Sequence, residues 1–232
     1  MLFGLFYFDW TILLVIPVFI FSLWAQFKVN STYEKFSKIP TRRGMTGASA
    51  ARSILDANGL QHVRIEHIRG NLNDHFDPRA NVIRLSDAVH DSKSAAAIGV
   101  AAHEAGHAVQ YAKHYAPIKL RAAIIPVTRF GSMLSIPLFF IGLIAAFDSL
   151  MLLGIILYAT IALFQLVTLP VEFNASQRAM KALSASGMLV QDELSAAKKV
   201  LTAAAMTYVA ALATSLMTLL RLIILAGGRR RD

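Results

Sequence analysis

The segment His103-Glu104-Ala105-Gly106-His107 places two imidazoles four residues apart with a carboxylate beside the first. Four residues is just over one helical turn, so on a helix both rings leave one face. They can then share one metal ion at about 2.0–2.1 Å. Glu104 would lie beside the vacant coordination position, where it can take a proton from an activated water and return it to a leaving amine. The ligand types favour zinc. Around the pentapeptide the residues are small and uncharged (Val100, Ala101, Ala102, Ala108, Val109), so the helix can be buried. Two histidines and a glutamate are costly there without a partner, and a metal supplies one.

A catalytic zinc needs a third protein ligand. The metzincin pattern requires Gly at 110 and His at 113, where this chain has Gln110 and Lys113. A distant acid is the other common solution. Glu172, in Leu-Pro-Val-Glu-Phe at the end of an apolar run, leads, because an acid there is expensive unless used. Asp87, Asp91, Glu66 and Asp192 compete from weaker contexts. For stabilising a developing oxyanion the candidates are His75, His114, Arg178 and Tyr208.

The surrounding elements must hold this chemistry. The pattern predicts a helix over 94–113 carrying the histidines. It also predicts an amphipathic helix over 45–58, capped by Thr46 and ended by Gly59. The alternation of Val63–Arg69 and Asn81–Ser86 predicts two half-buried strands, joined by the turn-rich segment GNLNDHFDPRA.

The rest is strongly apolar. Of the 232 residues 56% are hydrophobic, 16% charged and none is cysteine, and the mean hydropathy is +0.53. A soluble domain is usually about a quarter charged. Disordered, collagen-like and disulfide-stapled classes are excluded. Apolar runs fall at 2–27, 130–147, 149–171 and 200–227, each near the roughly 20 residues that span a bilayer. Pro126 and Pro137 are placed to break or kink the second. The first lacks a basic leading segment and a cleavage site, and is expected to be retained.

The net charge of +9 follows the membrane pattern. Fourteen of the 23 Lys and Arg residues lie between Lys28 and Arg121. Positive-inside placement therefore puts that region, and 170–199, in the cytoplasm with the amino terminus outside. Arg229, Arg230 and Arg231 dissent if the fourth run spans. No nucleic-acid motif accompanies the charge, and few ionisable residues enter the runs, which argues against a channel or transporter.

Several blocks match a known family across nearly the whole chain: Gly44–Arg52, Asp74–Arg79, Ile83–Ser86, Ala101–Gln110, Leu169–Phe173 and Ala204–Ala211. On these the chain resembles the YugP-type membrane zinc metallopeptidases, relatives of the HtpX-like endopeptidases. The resemblance implies His103, His107 and Glu172 as ligands of one zinc and Glu104 as general base. It also flags a departure. Asn174 stands where the family usually has Asp, an acid that would orient a zinc histidine. Peptidases of this kind often take substrate as an added strand, and Asn81, Val82, Ile83, Arg84, Leu85 and Ser86 are the expected edge.

The expected fold is a mainly α membrane protein. It would have about four transmembrane helices and a small α+β zincin-like catalytic domain. Expected divisions are a first helix (1–27), the catalytic region (28–126), a transmembrane hairpin (127–171), a third-ligand segment (172–199) and a final hydrophobic helix with a basic tail (200–232). The expected function is zinc-dependent endoproteolysis of membrane or unfolded proteins at a bacterial-type plasma membrane, with peptide substrate and bilayer as partners. The alternative is a non-catalytic membrane scaffold with a structural or vestigial zinc site.

Overall fold

A computed structural model describes residues 9–229; the beginning of the first apolar run, and Arg230 and Arg231, lie outside it. Six helices and three strands follow in the order α1 (Ile12–Ser37), α2 (Gly47–Ala57), β1 (Arg64–Ile68), β2 (His75–Asp77), β3 (Val82–Ser86), α3 (Ala95–Ala112), α4 (Ala116–Ile144), α5 (Asp148–Ala185) and α6 (Gln191–Arg229). The molecule is mainly α, and α1, α4, α5 and α6 are each long and apolar enough to cross a membrane.

The long helices form two antiparallel pairs. α4 and α5 make a hairpin whose backbones nearly touch. A Cβ on Gly154 would meet the Phe139 nitrogen at 2.7 Å, and one on Gly131 the Leu157 carbonyl at 2.7 Å. Small residues permit such approach between apolar helices. α1 runs beside α6, joined by a Ser22–Thr214 hydroxyl contact of 3.1 Å. Asp9, just ahead of α1, pairs with Arg221 near the end of α6, whose Nη2 lies 2.5 Å from Asp9 Oδ2. Each thereby offsets the other's cost in an apolar setting.

The expected breaks and divisions are not where the helices end. α4 starts at Ala116 and continues through both Pro126 and Pro137. α5 continues through Pro170 and past Glu172 to Ala185. Inside a packed helix bundle neighbouring helices and side chains can absorb the backbone groups that proline frees. Helices therefore cross the boundaries drawn at 126 and 171.

The small domain gathers at one end of the bundle. Thr46 caps α2 through a reciprocal bond with Ser49, and Ser94 caps α3. α3 is buried along most of its length, between α2 on one side and α5 and α6 on the other. Its core partners include Ile54, Leu55, Ile83, Leu85, Leu183 and Val200.

The sheet order is β1-β3-β2, with β1 parallel and β2 antiparallel to β3. This corrects the expected edge strand. Residues 82–86 form the middle strand, paired on both sides, so no substrate strand can add there. β2 is the third strand, which the turn-rich composition concealed. The Asp74 carboxylate pins its start, accepting from Ser86 N at 2.7 Å and Ser86 Oγ at 3.1 Å.

Candidate metal centre

α3 turns His103 and His107 toward α5, and α5 presents Glu172 to them. Glu172 Oε2 lies 3.2 Å from His103 Nε2 and 3.4 Å from His107 Nε2. Bonds of about 2.0–2.1 Å place tetrahedral ligands about 3.3–3.4 Å apart. Both separations from the carboxylate match that spacing, and the three residues form a compact potential donor group with all ligand atoms within 4.8 Å of one another.

The surroundings fix the histidine tautomer. Gln110, fully buried, donates through Nε2 to the Val171 carbonyl at 2.8 Å and to Asn174 Oδ1 at 2.9 Å. Its Oε1 is left facing His107 Nδ1 at 3.0 Å. An amide oxygen only accepts, so the proton sits on Nδ1 and Nε2 offers a lone pair. That lone pair faces a carboxylate oxygen, an arrangement that calls for a positive centre between them. Burial opposes charge on His107, yet the Glu172 and Glu104 carboxylates beside it favour a positive charge there and push its pKa above the ordinary imidazole value. The donor set therefore fits a divalent cation.

Other groups hold the remaining atoms. His103 Nδ1 meets Ser176 Oγ at 3.0 Å, one turn beyond Glu172 on the same face of α5. Arg121, from the first turns of α4, donates to Glu172 Oε1 at 2.9 Å. Glu104, 8% exposed, accepts from the Phe76 N–H at 3.0 Å. That N–H points away from β3, so β2 turns its outer edge to the centre. Burial pushes the Asp74 carboxyl above the usual range, aided by the Glu104 charge and opposed by the bonds from Ser86.

Two cavities meet here. One, about 280 Å³, opens between β2, α3 and the start of α4, past Tyr111, Ile118 and Ile125. The other, about 260 Å³, opens between α1 and α6, past Asn30, Tyr33 and Thr207. Asp74, His103, Glu104, Glu172 and Tyr208 line both.

The structure thus brings together His103, Glu104, His107, Glu172 and Tyr208. His75 lines the first cavity from an exposed position. His114 does not join them: it is exposed, at φ 53°, where the chain leaves α3. Arg178 lies behind the centre, donating through Nε to Asn174 Oδ1 at 2.7 Å. Asn174 touches no histidine directly; it holds Gln110, which holds His107. Gln110, Ser176 and Arg121 were missed in the sequence. The first two carried a signal, at i+3 from His107 and i+4 from Glu172.

The competing acids are engaged elsewhere. Glu66 pairs with Arg64 and Arg84, and Asp192 opens α6. Asp87 and Asp91 bond His67 and His90. His67, His90 and Asp91 form a second, more exposed group of potential donors.

Residues 11–227 match the family described as "Putative neutral zinc metallopeptidase", and the chain belongs to that family. It is 47% identical over 214 residues to the "Putative membrane protease YugP" of Bacillus subtilis (strain 168), covering 92% of this chain and 95% of that one. No solved structure matches.

Proposed function

We propose that the protein is a membrane-embedded zinc endopeptidase of the His2Glu type, with His103, His107 and Glu172 holding one zinc and Glu104 as general base. The observation that carries this is the 3.2 and 3.4 Å spacing of three ligand atoms beside a buried glutamate. The bound zinc would supply a Lewis acid that polarises the scissile carbonyl and acidifies a water molecule. Glu104 accepts that water's proton on a carboxylate oxygen and delivers it to the leaving amine nitrogen. Tyr208, lining both cavities, is the candidate donor to the developing oxyanion. Arg121 holds Glu172 Oε1, which keeps Oε2 aimed at the histidines.

Endoproteolysis is favoured because a cavity leads away from the centre on each side, leaving room for chain on both sides of the scissile bond. The outer edge of β2, beside Glu104, is the strand on which an extended substrate would pair. The catalytic end faces the cytoplasm, where most of the basic residues lie. Substrates are then unfolded or juxtamembrane segments.

The test is zinc content and cleavage of an unfolded protein by detergent-solubilised enzyme, in a His67→Asn background that disables the exposed donor group. Glu104→Gln is expected to keep its zinc and lose cleavage; Glu172→Ala is expected to lose both. Zinc retained in Glu172→Ala removes the ligand assignment. Cleavage retained in Glu104→Gln removes the base and favours a scaffold with a structural ion.

A further inference from the structure

We propose that a groove between α1 and α6, at the membrane boundary, binds the headgroup of an anionic phospholipid. The groove is a cavity of about 790 Å³. Lys28 and Lys35 reach it from α1, and Lys198 and Lys199 from α6. All four are exposed, and none forms an ion pair among the described residues. No acid lines the cavity. The neighbouring Glu34 is engaged by Lys38 at 2.7 Å, and Glu193 accepts from the backbone N–H groups of Arg42 and Val190. Four like charges around one cavity are a standing demand for an anion.

Position selects the anion. Lys28 directly follows the apolar run that ends at Phe27, and Lys198 and Lys199 directly precede the run that begins at Val200. Lys28 therefore lies at the membrane boundary, where a juxtamembrane lysine is most effective, and the register set by Ser22 beside Thr214 puts Lys35, Lys198 and Lys199 about two turns farther out along the same groove. The hydroxyl residues Ser31, Thr32, Ser195 and Thr202 line the same cavity and offer neutral donors to phosphate oxygens. Its apolar lining comes from Trp24, Phe36 and Met206. That lining suits the glycerol and first methylenes of a lipid and offers nothing to free phosphate. A merely solvated lysine face would need no such lining.

The same two helices carry Asn30 and Thr207 on the wall of the cavity beside Glu104. A lipid seated in the groove would pin α1 to α6 and so hold that wall. The binding claim itself is independent of the peptidase reading.

The chain has two tryptophans, and Trp10→Phe leaves Trp24 as a fluorescent reporter in the groove. The full-length variant is placed in phosphatidylcholine vesicles containing brominated phosphatidylglycerol or brominated phosphatidylcholine. The brominated anionic lipid is expected to quench Trp24 at a mole fraction about fivefold lower or less, since one juxtamembrane lysine alone is worth about that factor. Lys28→Gln with Lys198→Gln should remove the preference, and Lys28→Arg with Lys198→Arg should keep it, which separates charge from folding. Equal quenching by the two lipids overturns the proposal. So does a preference that survives the glutamine pair. Loss of the preference in millimolar inorganic phosphate at constant ionic strength overturns the lipid assignment in favour of free phosphate.

Discussion

Gly106 faces the Ala175 carbonyl so closely that a Cβ on it would lie 2.7 Å from that oxygen. The glycine between His103 and His107 is what lets α3 and α5 approach backbone to backbone, and that approach brings Glu172 to the two imidazoles. Gly106→Ala must separate the helices. Overpacking of this kind costs about 1–3 kcal/mol, and here it also withdraws Glu172, the proposed third ligand. The expected outcome is a lower thermal midpoint together with lost zinc. Gly99→Ala is the control, because its nearest neighbour would be the Ala197 methyl at 3.2 Å and backbone no closer than 3.4 Å. Equal zinc affinity in the two variants would remove the idea.

Gln110 sets the tautomer of His107. Gln110→Leu leaves Nδ1–H unpaired in a buried site, and loss of such outer partners typically weakens metal affinity about 10–100-fold. Gln110→Glu keeps the acceptor toward Nδ1–H but loses the donor to the Val171 carbonyl and Asn174 Oδ1, so it should bind zinc better than Gln110→Leu and less well than the parent. Competition against a chelating dye measures both.

Asn174 receives Gln110 and Arg178 on one oxygen, 2.9 and 2.7 Å away. An aspartate there would accept the same two donors and add a charge opposite Arg178. Asn174→Asp is therefore expected to raise zinc affinity and turnover, and Gln110→Leu should cancel the gain. Unchanged zinc content and turnover in Asn174→Asp would show that the missing charge has no consequence.

Arg84 braces the sheet, with Nη1 2.9 Å from Asp77 Oδ2 and Nε 3.3 Å from Glu66 Oε2. The hydrogen bond from Arg84 holds the Asp77 carboxyl below its ordinary value. A depressed carboxylate stabilises the fold fully above its unfolded value, about 3.9, and stops doing so as pH falls through the lowered one. Arg84→Gln should therefore lower the melting temperature at pH 7 and make a smaller difference near pH 3. A difference that persists in acid would assign Arg84 a packing role instead.

Much of this was legible in the sequence because the signals are local. The i, i+4 histidines, the cap Thr46 and the apolar runs all act within a few residues of themselves. β2 was illegible because its Asn, Asp and Pro neighbours favour turns. It becomes a strand through tertiary contacts, from Asp74 to Ser86 and from Phe76 to Glu104. Arg121 was hidden for the same reason, since no spacing links it to a glutamate 51 residues away. The middle position of β3 depended on β2, so missing one strand misplaced the edge.

Glu172 belongs to the same unbroken helix as the membrane hairpin, and this makes the centre answerable to the thickness of the bilayer. A helix mismatched to its membrane tilts or slides, and a shift of one residue along α5 is about 1.5 Å of travel, most of a metal–ligand bond length. The grip on zinc should then vary with acyl-chain length, being tightest in the membrane that matches α5 and looser in thinner or thicker ones.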